Sequence, residues 1–177
     1  KDLDGSTSPE NPGVIWQIPP SNFFQISQLV NRLVQFGKRK VYLIYENSTY
    51  GDEYSVYFNA ALPNTNDPDL RIDVQSCQIN GAMDEENQCT SSLSGEFYDS
   101  IVLISSNPED HWGLMTHLNG MEDLRQNVQI FFDSTARNQG TLDLLTEKLN
   151  GKIFGMSSRI TENSPLYGAF SSKYSSE

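Results

Sequence analysis

The feature that most constrains this chain is an alternation. Short apolar runs rich in β-branched and aromatic residues are followed, again and again, by stretches whose apolar residues recur at i, i+3, i+4 and i+7. The short runs suit strands buried on both faces, and the periodic stretches suit helices packed on a core. Parallel strands need a helical crossover between them, so the alternation predicts an α/β fold. It is a three-layer α/β/α sandwich with a mostly parallel, Rossmann-like (flavodoxin-like) sheet of about six strands. Strands are expected at residues 14–18, 41–45, 70–74, 100–104, 128–132 and 153–156.

The helices follow from their own signals. Ser21 or Asn22 can cap a helix with the stripe Ile26, Leu29, Val30, Leu33 and Val34, stopped by Gly37. Residues 46–51 read as a polar loop and residues 52–62 as a helix carrying Val56, Ala60 and Leu62, ended by Pro63. Residues 84–93 form a weaker helix, and residues 108–118 one with Pro108 in its favoured first position. Leu142, Leu145 and Leu149 mark another, closed by Gly151, and Leu166, Phe170 and Tyr174 a last one. Residues 1–13 hold little that could be buried and read as a linker or tail, leaving residues 14–177 as one domain. The chain opens on Lys1 without Met or leader, as expected of a processed chain or an excised piece.

Charge narrows the partners. With 12 Lys+Arg against 23 Asp+Glu the net charge is −11, and the one basic cluster is Lys38-Arg39-Lys40, so a phosphate backbone would be repelled and nucleic acid is not expected. No run approaches the ~18 consecutive apolar residues of a membrane span.

Familiar chemistries leave no signature. There is no G-x-G-x-x-G, no P-loop and no complete G-x-S-x-G, and Asp133-Ser134-Thr135 lacks the Lys that a phosphoacceptor site would want. His111 and His117 lie six apart, ~240° around a helix, and read as exposed residues beside Glu109 and Asp110. The run Asp84-Glu85-Glu86 reads as a solvated face. No catalytic residue, metal or cofactor is expected. Cys77 and Cys89 leave either one bridge or two free thiols, and the polar stretch between them closes easily in an oxidising compartment. Asn47-Ser48-Thr49 matches the N-glycosylation acceptor pattern.

In parallel sheets ligands bind outside the carboxyl ends of the strands, which points to residues 46–50, 105–107, 133–135 and 157–159. Tyr42, Tyr45, Tyr54, Tyr57 and Phe58 suit packing, whereas Tyr50, between Thr49 and Gly51, has a ring free to cover a ligand.

The stretch Ile15-Trp16-Gln17-Ile18-Pro19-Pro20-Ser21-Asn22, a helix, Gly37-Lys38-Arg39-Lys40-Val41-Tyr42-Leu43-Ile44-Tyr45-Glu46 and then Thr49-Tyr50-Gly51 resembles the opening of the second lobe of type I periplasmic binding proteins, the branched-chain amino-acid receptor group. Residues 99–109 resemble the later strand running into a Pro-Glu helix start, and Phe170 with Tyr174 the family's Phe-x-x-x-Tyr. The resemblance spans residues 14–174. It implies a non-enzymatic lobe of a periplasmic or extracellular solute receptor, trapping a small polar, amino-acid-like ligand between two hinged lobes for transport or sensing. Its implied partners are the missing first lobe and a membrane permease or sensor. Ligand contacts carried over fall on Tyr50, on Ser106 with Ser105 beside it, and on Ser134, where the family tends to be acidic; Asp133 supplies the neighbouring carboxylate. Gln17 stands where the family has Arg. The exported setting implies that Cys77 and Cys89 are bridged. The competing readings are a ligand-free interaction or signalling lobe of the same fold, and an α/β enzyme.

Overall fold

A computed structural model describes residues 21–65, 67, 69–83, 87–93, 96–122, 124 and 127–156. The tail at residues 1–13, the strand expected at 14–18, the acidic run 84–86, the segment 157–159 and the stripe Leu166, Phe170 and Tyr174 lie outside them. All the elements described belong to one unit, Asn22–Ser157.

Helix α1 (Asn22–Gln35) buries Ile26, Leu29, Val30 and Leu33, the stripe its spacing predicts. Its end is built by Gly37 at φ 65°, which lets Lys38 N–H reach Leu33 O at 2.9 Å and Gly37 N–H reach Val34 O at 3.0 Å. Strand β1 (Lys40–Glu46) follows, then α2 (Thr49–Ala61), β2 (Asp73–Ile79), the short α3 (Gln88–Ser91), β3 (Ser100–Ile104) and α4 (Pro108–Gly120). Then come β4 (Gln129–Phe132), a 3-10 turn (Ser134–Ala136), α5 (Gln139–Asp143) and β5 (Ile153–Gly155). All pairings are parallel, in the order β2-β1-β3-β4-β5.

The strand alternation separates two cores. Val41, Leu43, Val102, Ile104 and Phe131 pack with Ile26, Leu29, Leu33, Tyr54 and Phe58 under α1 and α2. Tyr42, Ile44, Ile101, Leu103, Ile130 and Phe132 pack on the opposite face with Leu93, Leu114, Met115 and Leu118. The three expected layers are therefore present, because each central strand is apolar on both sides. A disulfide joins Cys77 of β2 to Cys89 of α3, with Cα atoms 5.7 Å apart, and ties the edge strand to the second layer. No helix among the described residues is long and apolar enough to cross a membrane.

Several boundaries differ from expectation. Residues 46–51 are not a loop: Glu46 closes β1 and Thr49 opens α2, leaving Asn47 and Ser48 as the turn. Helix α2 turns Tyr54 and Phe58 inward and leaves Val56 64% exposed, because two aromatic rings bury more surface than one valine. The strand expected at 70–74 starts at Asp73, with Leu70 exposed. Of the helix expected at 84–93, the described residues 87–93 hold Gln88–Ser91. The stripe at Leu142, Leu145 and Leu149 does not make one helix: α5 ends at Asp143, turns follow, and Leu142 and Leu145 are exposed while Leu149 is buried.

Candidate functional site

From β1 the chain crosses to β2 on one side, and the next strand, β3, lies on the other side of β1. This reversal opens a crevice at the carboxyl ends of β1 and β3, where sheets of this kind place their ligands. Glu46 ends β1, Ser105 and Ser106 follow β3, and Asp133 follows β4.

Local structure sets each side chain. Ser48 caps α2 by accepting the Gly51 N–H at 3.2 Å. Gly51 has no side chain because a Cβ there would lie 2.1 Å from Glu46 O, so the helix can fold back closely over the strand end. Asn107 caps α4 by accepting from Glu109 N–H at 3.2 Å, and Asp133 caps the 3-10 turn by accepting from Thr135 N–H at 3.1 Å.

Asp133 is one hub. Its Oδ2 accepts the Ser105 N–H at 2.9 Å and the Tyr50 hydroxyl at 3.2 Å. Its Oδ1 accepts the Thr135 hydroxyl at 2.5 Å and lies 3.2 Å from His111 Nε2. Burial, and then the Asp133 carboxylate beside it, pushes the Tyr50 hydroxyl far above the ordinary tyrosine range, so it stays a neutral donor. Its ring lies against Tyr54 with centroids 4.6 Å apart.

Glu46 is the other hub. It accepts Ser106 N–H at 2.7 Å, the Ser106 hydroxyl at 2.9 Å, the Ser105 hydroxyl at 3.0 Å, and the Ser48 hydroxyl. Burial alone would raise its pKa, but the hydrogen bonds from Ser48, Ser106 and Ser105 outweigh it and hold the carboxylate below its usual range. Ser105 also stands 2.5 Å from Asp110 Oδ2, and there burial prevails and raises the pKa. A polar hollow of about 470 Å³ opens on this edge, lined by Glu46, Asn47, Ser48, Asn80, Ser106 and Asp110.

The structure thus brings Tyr50, Ser105 and Asp133 into direct hydrogen-bond contact, and places exposed Ser106 and Ser134 on the same edge. Tyr50 is half-buried on the first turn of α2, with its hydroxyl committed to Asp133 and its ring on Tyr54, so it is not free as expected. His111 overturns its expectation of exposure: it is fully buried, edge-on to Phe132. The signal was present, since His111 shares the buried stripe of Leu114, Met115 and Leu118. Asp110, on the first turn of α4, is buried as well. Glu46 and Thr135 fell inside the segments singled out by sequence without being chosen. Asn47 is exposed and donates to Asn80 Oδ1 at 3.0 Å.

The sequence matches no protein-family model and no curated protein. Solved structures do match in shape. An extracellular ligand-binding receptor from Verminephrobacter eiseniae superposes with TM-score 0.66 at 11% identity, covering 95% of this chain and 48% of its own. The fold is that of periplasmic binding proteins. A protein described as a branched-chain amino acid ABC transporter, from Silicibacter pomeroyi, gives TM-score 0.64 at 14% identity over 94% of this chain and 43% of its own. A fatty acid ABC transporter substrate-binding protein from Thermomonospora curvata gives 0.58 at 18% over 92% and 42%. The chain spans less than half the length of each.

Proposed function

We propose that residues 14–177 form one lobe of an extracytoplasmic, non-enzymatic two-lobed solute receptor. The lobe helps trap a small polar, amino-acid-like ligand as a hinge closes. The observation that carries this reading is the match of nearly the whole chain to 48% of a receptor. A polar edge at the sheet's switch point adds to it. Tyr50, Ser105, Ser106, Asp133 and Ser134 lie on the cleft face; Ser106 and Ser134 meet the solute directly, while Asp133 acts through Tyr50. The bridged cysteines support a periplasmic or extracellular location. The partners are a first lobe and a permease or sensor.

A ligand-free interaction lobe is the second reading, favoured by one observation: Asp133 and Ser105 are 2% and 0% exposed and are supplied with partners inside the fold. Calorimetric titration of amino acids separates the two. The chain alone should bind weakly or not at all, because half the contacts are missing and water stays in the cleft. The two-lobed protein should bind. Sub-micromolar affinity in the lone chain would overturn the two-lobe reading, and silence across an amino-acid and small-solute panel in the two-lobed protein would favour the interaction lobe.

A further inference from the structure

At the crevice, hydrogen-bond arithmetic does not close while both carboxyls are ionised. The Ser105 hydroxyl stands 3.0 Å from Glu46 Oε2 and 2.5 Å from Asp110 Oδ2, and it accepts the Asn107 N–H at 3.0 Å. A hydroxyl owns one hydrogen and cannot donate to both carboxyls. Ser105, Glu46 and Asp110 are 0%, 9% and 6% exposed, so although the two carboxyls border the polar hollow, a pair of anions sharing one hydroxyl is costly there. One added proton completes the chain of donors.

The surroundings say which carboxyl carries it. Glu46 is served by donors from Ser48, Ser105 and Ser106, the environment of an anion. Asp110 meets the Ser105 hydroxyl and, among the described residues, no further donor to its carboxyl. We infer that Asp110 is a positioning residue: on the acid side of its own titration it carries a proton and donates it to Ser105 Oγ, which turns the Ser105 hydroxyl onto Glu46. Glu46 in turn holds the Ser106 N–H, so the proton fixes the turn that leaves β3. Loss of the proton sets two carboxylates on one hydroxyl.

The charged groups facing Asp110 agree with this. Burial is the largest influence and raises its pKa above the ordinary 3.8; the Ser105 hydrogen bond and His111 pull it down, and Glu46 across from β1 and Glu109 on α4 push it up, leaving it raised. Asp133 lies beyond His111, and Asn80 and Gly81 on the β2 side carry no charge. A carboxyl whose folded pKa is raised contributes stability that is complete below its unfolded pKa and is lost as pH rises through the folded one. Any effect on solute affinity rests on the ligand-binding reading of this edge; the proton itself does not.

The test needs no ligand. Carboxyl carbon-13 NMR follows Asp110 through a pH titration of the 177-residue chain, assigned with Asp110→Asn, and urea melts compare wild type, Asp110→Asn and Asp110→Ala across the same range. Asp110 should titrate above the ordinary aspartate range. Between the ordinary aspartate value and its folded pKa, the wild-type folding constant measured relative to Asp110→Asn should fall by up to about tenfold per pH unit. Asp110→Asn, whose amide donates to Ser105 without titrating, should fold, lose that slope and exceed Asp110→Ala in stability. A titration at or below the ordinary range, a slope retained in Asp110→Asn, or an Asn variant less stable than the Ala variant would overturn the inference. If Asp110→Asn fails to fold, the wild-type titration, assigned through Asp110→Ala, decides alone.

Discussion

The centre and the margin of one sheet behave differently. All five residues of β3 are buried, and the strand spans the residues its apolar run predicts. At the margin of the sheet among the described residues, β5 keeps three residues, none of them buried, and α5 five, where a leucine stripe argued for a longer helix. Both regions carry an apolar signal in sequence, a continuous run in β3 and the spaced Leu142, Leu145 and Leu149 around α5. The difference lies in their neighbours: β3 has a strand on each side and helices on both faces, so every alternating position meets a packed partner. Leu142 and Leu145 face an open, largely apolar hollow of about 570 Å³ instead. Periodicity therefore identifies an element reliably only where the fold supplies something for each face.

Paired substitutions test this contrast. Leu103→Ala in β3, at 0% exposure, should destabilise by ~2–5 kcal/mol in urea melts, as deletions in packed cores do. A loss below about 1 kcal/mol would mean that the centre is no better packed than the margin. Next in size is the bridge: Cys77 and Cys89 are 12 apart in sequence, and opening so short a loop in the Cys77→Ser, Cys89→Ser variant should remove about 3 kcal/mol. Two titratable thiols in material from an oxidising compartment would contradict the bridge itself.

A smaller effect separates the polar edge from both. Glu46 has its folded pKa held below the ordinary 4.5, so its contribution is present above that value and is lost as pH falls through the folded pKa. Melts at falling pH should show this acid loss in wild type and lack it in Glu46→Gln; an unchanged profile would remove Glu46 as a hub. The smallest change is Leu142→Ser, which should stay within about 0.5 kcal/mol because the side chain is 62% exposed. A larger loss would show that something covers the apolar hollow.

The candidate site was legible only in part. The segments that hold Tyr50, Ser105, Ser106, Asp133 and Ser134 follow from where strands end, since the carboxyl edge of a parallel sheet can be located once its strands are located, and the resemblance picked these residues within them. Glu46 closes a strand whose apolar run is read as ending at Tyr45, and its role depends on donors 59 and 60 positions away. Asp110 and His111 looked like solvated residues beside Glu109, because local charge density says nothing about which face of a helix a sheet will cover. Their burial is set by β3 and β4 packing beneath α4.

What the sequence determined by itself is the layer architecture and the parallel sheet. Apolar period and helix-end signals such as Gly37 after α1 and Pro108 at the start of α4 act over a few positions, and those energies are local. What only the tertiary structure decided is which polar groups meet. A hydroxyl shared by Glu46 and Asp110, and a carboxylate shared by Tyr50, Ser105 and Thr135, arise from strand order and crossover, which bring distant residues into a buried region where each hydrogen must be accounted for.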